Sequence, residues 1–220
     1  MSKIIAFSGG CFSGKTTTIG KVKTYLEERG YNVVVLGELI RTTTAKTATS
    51  IDEIRKDPAS YLQLQKTVIT GKIEQELNAF DDKSDTIYLA DRAITDSLFY
   101  LQNYVDKSRL CESEMAMFCE LHKKVVKHAE KMFSHGYSFI VTFRPIQNGS
   151  TDDPYRPSYL RLTNEYEYDA IRILNASFYK SCGSQAKFAL VNVLGNHSVD
   201  QLQRSILRFI ELEYIENYGS

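Results

Sequence analysis

The chain has 220 residues, 43% of them hydrophobic, with 27 Lys plus Arg set against 27 Asp plus Glu. That length and apolar content suffice for one α/β domain with a substantial core, and the expectation is a single domain over residues 1–220. The balanced charge excludes the global basic field that drives nonspecific nucleic-acid binding, so a small anionic substrate fits better than DNA.

Lys3 to Phe7 is predicted as the first strand. It runs into Gly9-Gly10-Cys11-Phe12-Ser13-Gly14-Lys15-Thr16, which has the composition and spacing of a complete phosphate-binding loop. Gly9 and Gly14 let the backbone curl around a phosphate with its N–H groups pointing inward, where a side chain would collide. Lys15 supplies a point charge to the β and γ oxygens, Thr16 offers a hydroxyl to Mg²⁺, and the helix that follows aims its positive end at the anion. Gly10, Cys11, Phe12, Ser13, Gly14, Lys15, Thr16 and Thr17 are therefore the expected ATP contacts.

Thr17 to Arg29 is the predicted crossover helix, closed by Gly30, and Asn32 to Leu36 is a second strand whose Val33-Val34-Val35 run reads as buried. Asp57 to Phe80 reads as helix, opened by an Asp-Pro cap and first-turn proline. Thr86 to Ala90 is the third strand, and a helical region from Ser97 to about His135, broken near Val105 to Cys111, leads to a fourth at Tyr137 to Phe143. Lys187 to Val193 is the fifth, and Asp200 to Tyr214 a C-terminal helix. Strands alternating with helices predict a three-layer α/β sandwich around a five-stranded parallel sheet. Arg144 to Arg161 holds three of the four prolines, charges of both signs and no apolar periodicity, and reads as a mobile lid over about residues 144–165.

Ligands of open α/β sheets sit beyond the carboxyl ends of the strands. Glu38 and Arg41 follow the second strand there, Asp91 and Arg92 the third, and Arg144 the fourth. Phosphoryl transfer needs donor and acceptor held in line, charge neutralised and water excluded, which cations, glycines and a lid can do. Asp91, ending a strand beside the phosphate loop, is a candidate with Thr16 for holding Mg²⁺. Arg92 is placed to hold the acceptor or the migrating group, its bland alternative being a structural ion pair with Asp96. Arg156 and Arg161 are candidate lid cations, and Arg41, Arg92, Arg144 and Arg161 candidate acceptor contacts.

Residues 89–100, Leu-Ala-Asp-Arg-Ala-Ile-Thr-Asp-Ser-Leu-Phe-Tyr, resemble the Asp-Arg motif of thymidylate kinases and the Glu-Arg-Ser motif of deoxynucleoside kinases. They are most similar to the P-loop kinase family that includes nicotinamide riboside kinase domains, with its pattern Asp-Arg-x-x-x-Asp-Ser-x-x-Tyr. Asp153-Pro154-Tyr155-Arg156 is similar to that family's lid, Asp-Gly-x-Arg, with Pro154 in place of the glycine. The resemblance covers Lys3 to about Tyr179 and implies a P-loop nucleotide-kinase fold and transfer from ATP to a small acceptor. It also implies that Glu38, placed like the glutamate after the second strand of deoxynucleoside kinases, is general base or acceptor-sugar ligand. The alternative is that Glu38 pairs with Arg41 on a solvated loop. Related kinases often dimerise through the part of the fold matching Leu98 to Phe133, so a homodimer is an open expectation.

Besides a lipid- or membrane-associated binding protein on the same scaffold, which the neutral net charge and the absence of an amphipathic basic segment count against, two rival functions remain. One is a kinase for a hydroxyl in DNA or RNA, using Lys123, Lys124, Lys127 and Lys131 as a basic stripe. The other is a nucleotide-dependent switch that hydrolyses ATP or GTP slowly. The four histidines lack metal-ligand spacing, and His122 and His128 read as helix-surface residues. The four cysteines read as reduced thiols. Met-Ser-Lys-Ile-Ile leads straight into a strand with no signal peptide, and no apolar stretch approaches a membrane span, so the expected location is cytoplasmic and no membrane partner is expected.

Overall fold

The computed structural model describes residues 4–10, 13–37, 39–40, 43, 50–145, 164–183, 189–193, 204 and 207–208. Its strands are β1 (Ile4–Ser8), β2 (Asn32–Leu36), β3 (Thr86–Asp91), β4 (Tyr137–Phe143) and β5 (Ala189–Val193). All pair in parallel, in the order β2-β3-β1-β4-β5, so the carboxyl ends of β1 and β3 lie side by side at the centre of the sheet. Period-two alternation sends successive side chains of a strand to opposite faces. Ile5 and Phe7 accordingly join Ile19, Val22 and Leu26 of α1 (Lys15–Glu27), while Ile4 and Ala6 join the helices on the other side. Those helices are α3 (Pro58–Asp81), α4 (Ile94–Tyr104) and α5 (Glu112–Lys131), which makes three layers.

Local chemistry accounts for most helix ends. α1 closes at Gly30, with φ +86, and Gly30 N and Tyr31 N donate back to Glu27 O and Leu26 O. Asp57 caps α3 by accepting from Ser60 N at 3.1 Å, with Pro58 in the first turn. The expected break between α4 and α5 is present as a 3₁₀ turn at Lys107–Arg109, and Cys111 N donates to Glu114 at 2.8 Å to open α5. Before α3 lies a short α2 (Ile51–Lys56), capped by Ser50 accepting from Glu53 N. That helix was not among the expected elements, although Ser50 and Glu53 stand at the capping-box spacing. Also unexpected is α6 (Asn164–Cys182), which continues beyond the segment read as a lid.

Two other expectations are corrected. Val33 is buried, but Val34 and Val35 are 40% and 39% exposed, because β2 is an edge strand paired with β3 alone among the described residues. His128 is not on the helix surface: it is buried and sits 2.9 Å from Glu76 Oε2. Of the predicted C-terminal helix, Arg204, Leu207 and Arg208 are described and helical, and the rest lies outside the described residues. No helix among the described residues is long and apolar enough to cross a membrane.

A bulge in β4 decides where Tyr137 goes. Ile4 pairs with Tyr137 but Ile5 pairs with Phe139, so Ser138 is the extra residue. Tyr137 thereby turns towards α3 and α4 while Phe139, Val141 and Phe143 turn towards α1. Its hydroxyl donates to Glu76 Oε1 at 2.7 Å and accepts from Ile94 N at 3.0 Å, which caps α4 from outside the local sequence. Burial and the nearby Glu76 carboxylate push the Tyr137 phenol well above its ordinary pKa, so the hydroxyl keeps its proton for that bond. Removing it in Tyr137→Phe is expected to cost about 2–3 kcal/mol in urea unfolding, since it strands a buried N–H and takes one donor from the buried Glu76 carboxylate, which keeps His128 and Lys72. Tyr88→Phe, which deletes an exposed bond to Asp82, should stay within about 0.5 kcal/mol. Equal losses in the two variants would contradict the capping role.

Candidate active site

The turn from β1 into α1 is built from backbone that only glycine adopts easily. Gly9 has φ +133, and a Cβ there would stand 2.7 Å from the Phe143 carbonyl oxygen. Gly14, with φ +78, caps α1 without a side chain and leaves the first N–H groups of the helix facing the loop. Lys15 is 5% exposed, and its Nζ donates to Gly10 O at 2.5 Å and to Ser13 Oγ at 3.0 Å. The cation is thus held over the loop by groups a phosphate can replace. Thr16 and Thr17 are exposed in the first turn of α1, and Thr16 Oγ1 donates to Asp91 Oδ2 at 3.0 Å. Asp91 is 5% exposed, and its Oδ1 is buried without a hydrogen-bond partner among the described residues. A buried carboxylate oxygen without a donor, beside a threonine hydroxyl, is the donor set a hard divalent cation takes.

Arg92 follows Asp91 in a left-handed conformation, φ +80, at a cost for a non-glycine residue of about 1–2 kcal/mol. Its N–H donates to Phe7 O at 3.0 Å, which fixes the turn. Its guanidinium Nη1 donates to Gly9 O at 3.0 Å and to Tyr100 OH at 3.3 Å, and lies 3.6 Å from Asp96 Oδ2. The structural ion pair and the position beside the phosphate loop are therefore both present.

Asp96 was read only as Arg92's possible partner, yet it ties the end of β1, the phosphate loop and Arg92 together. It is fully buried on the first turn of α4, accepts from Ser8 Oγ, and accepts from Gly9 N at 3.0 Å. Ser8 Oγ in turn accepts from Asn175 Nδ2 of α6 at 3.0 Å, which also donates to Thr142 of β4 at 3.1 Å. Thr95 donates to Asn175 Oδ1 at 2.5 Å. No spacing rule finds this set, because its members come from four elements; the local signal was Asp96 at Arg92+4.

Arg144 lies beyond β4 with its Nε 3.2 Å from Glu165 Oε2 of α6, so its described partner is Glu165 and not the phosphate loop. Cys11, Phe12, Glu38, Arg41, Arg156 and Arg161 lie outside the described residues.

A family model described as an AAA domain matches residues 4–177, most of the chain. The chain belongs to this AAA-domain family. Its fold is shared with the NadR protein. The AAA-domain chain is similar to the NadR protein in complex with NR, with a TM-score of 0.60, 13% identity, and coverage of 96% of this chain and 50% of that one. NadR in complex with NAD and AMP-PNP gives a TM-score of 0.58 at the same identity and coverage. Shikimate kinase from Acinetobacter baumannii in complex with shikimate gives 0.48 at 12% identity, over 97% of this chain and 95% of that one, a likeness too distant to carry weight. The chain spans about half the length of the NadR chains. No curated protein matches it.

Burial raises the Asp96 carboxyl above its ordinary value of 3.8, opposed by Arg92, Ser8, Lys15 and Gly9 N–H, all of which favour the anion. A folded-state value above the unfolded one means folding favours the protonated acid. The associated stability is present below pH 3.8 and is lost as pH rises through the folded value. In urea titrations the stability of the wild type relative to Asp96→Asn should therefore decline from about pH 4 upward and then level off. Parallel curves for the two proteins would show that Asp96 is not the titrating group.

Proposed function

We propose that the chain is an ATP- and Mg²⁺-dependent kinase that transfers the γ-phosphoryl group to a nucleoside or nucleoside monophosphate. The observation that carries this reading is the meeting of Lys15, the Thr16–Asp91 pair and Arg92 at the adjoining ends of β1 and β3. Support comes also from the NadR complexes, whose ligands include AMP-PNP, NAD and NR.

Each residue has a separate task. Lys15 exchanges its bonds to Gly10 O and Ser13 Oγ for donor phosphate oxygens, and the N–H groups of the loop and of the first turn of α1 bind the same anion. Thr16 and Asp91 would hold Mg²⁺, which when bound neutralises charge on the donor phosphates. Arg92, fixed at Gly9 and Tyr100 beside the phosphate loop, would turn its guanidinium charge on the acceptor or the migrating phosphoryl group. Glu38 is assigned as base or acceptor-sugar ligand, with Arg41, Arg144, Arg156 and Arg161 as further cations towards the acceptor or the transferring group. Positioning and charge neutralisation supply most of the catalysis such a transfer needs.

The test is ADP release with ATP and Mg²⁺ against deoxynucleosides, ribonucleosides, the matching monophosphates and a short DNA duplex, for the wild type and Lys15→Ala. One nucleoside or monophosphate class should stimulate wild-type turnover at least about tenfold over the acceptor-free rate, with that stimulation lost in Lys15→Ala. Stimulation by the duplex alone would move the reading to a polynucleotide hydroxyl. Slow turnover indifferent to every acceptor would favour a nucleotide switch.

A further inference from the structure

The Arg92 guanidinium is linked through Tyr100 to a second element, remote in sequence. Tyr100 OH accepts from Arg92 Nη1 at 3.3 Å and donates to Glu167 Oε2 at 3.1 Å. Glu167, on the first turns of α6, is 1% exposed, and its other oxygen accepts from Tyr104 OH at 2.6 Å. A buried carboxylate with both oxygens engaged by phenols is a fixed anchor, and hydrogen bonds in series inside a low-dielectric interior polarise one another. The guanidinium is planar and rigid, so bonds from Nη1 to both Gly9 O and Tyr100 OH leave little freedom in its orientation. The guanidinium carbon also stands 5.0 Å from the centroid of the Tyr100 ring, so the phenol fixes it by both face and hydroxyl.

We propose that Glu167 is a positioning residue for Arg92, acting through the Tyr100 hydroxyl to set the angle at which the guanidinium meets the transferring group. The consequence for turnover rests on the kinase reading above; the geometric claim does not. A carboxylate that only anchors α6 would act as much through Tyr104 as through Tyr100. A carboxylate that steers Arg92 acts through Tyr100 alone.

The variants are Glu167→Gln, Tyr100→Phe, Tyr104→Phe and the Glu167→Gln/Tyr100→Phe double. Glu167→Gln and Tyr100→Phe should each lower kcat about tenfold with KM for ATP within about twofold, the signature of a misaligned group acting in the transition state. The double variant should lose no more than the worse single, because both cut one path. Tyr104→Phe should melt at a lower temperature yet keep wild-type kcat. A readout independent of turnover is the ¹⁵N signal set of the Arg92 guanidinium, identified by its loss in Arg92→Lys. Its Nη groups should exchange slowly in the wild type and Tyr104→Phe, and rapidly in Tyr100→Phe and Glu167→Gln. Equal kcat losses in Tyr104→Phe and Tyr100→Phe, additive losses in the double, or an unchanged guanidinium signal in Glu167→Gln would each overturn the proposal. Should no acceptor stimulate the wild type, the kinase reading fails, and the guanidinium signals alone decide this one.

Discussion

The carboxylate of Asp96 accepts from Ser8 at the end of β1 and from the N–H of Gly9 where the phosphate loop begins, and stands 3.6 Å from Arg92. It is fully buried, so the site must supply its counter-charge and donors from protein. That requirement couples three things that otherwise would vary separately. The exit angle of the chain from β1, the direction of α4 and the location of the Arg92 guanidinium are all referred to one pair of oxygens.

The sheet makes such a junction affordable. Apolar side chains of β1 and β4 fill the α1 face from Ile5 to Phe143, and on the opposite face Ile4, Ala6 and Ile140 do the same further down. At the carboxyl end of that second face Ser8 and Thr142 take the place of apolar residues, and Asn175 from α6 satisfies both. The β4 bulge at Ser138 puts Tyr137 on the same face, where it caps α4 at Ile94, two residues before Asp96. The polar residues on this face therefore hold α4 by its N-terminal turn at two places, Ile94 through Tyr137 and Thr95 and Asp96 through Asn175 and Ser8, and that turn carries the group that clamps the loop.

What could be read from sequence was whatever chemistry is local. The phosphate loop is contiguous, Gly9 and Gly14 have positive φ as their role requires, and Asp91 and Arg92 lie where a strand must end. Cap residues such as Asp57 and the turn at Gly30 follow the same logic. The features that escaped are those fixed by partners distant in the chain. Asp96 and His128 look like ordinary helix positions until Gly9 and Glu76 are brought to them, and Val34 is apolar whether its strand is central or at the edge. The start of α4 could not be placed because its cap is Tyr137, more than forty residues away in sequence. α6 was passed over because the charged, proline-bearing stretch before it drew the reading towards a loop, although Tyr168 and Ile171 of that helix keep an apolar spacing.

On the proposed kinase reading, transfer rather than hydrolysis is the defining act of this centre: Lys15 and the Thr16–Asp91 pair would hold the donor end, and Arg92, tied by Tyr100 and Asp96, would face what receives the phosphoryl group. The most direct measurement is ³¹P NMR of the protein with ATP, Mg²⁺ and a nucleoside and monophosphate mixture, following the fate of the γ-phosphoryl group. The account predicts that γ-phosphate intensity lost from ATP reappears as a phosphomonoester or a nucleoside diphosphate, with inorganic phosphate a minor product. Inorganic phosphate as the sole product, at a rate indifferent to the mixture, would contradict it.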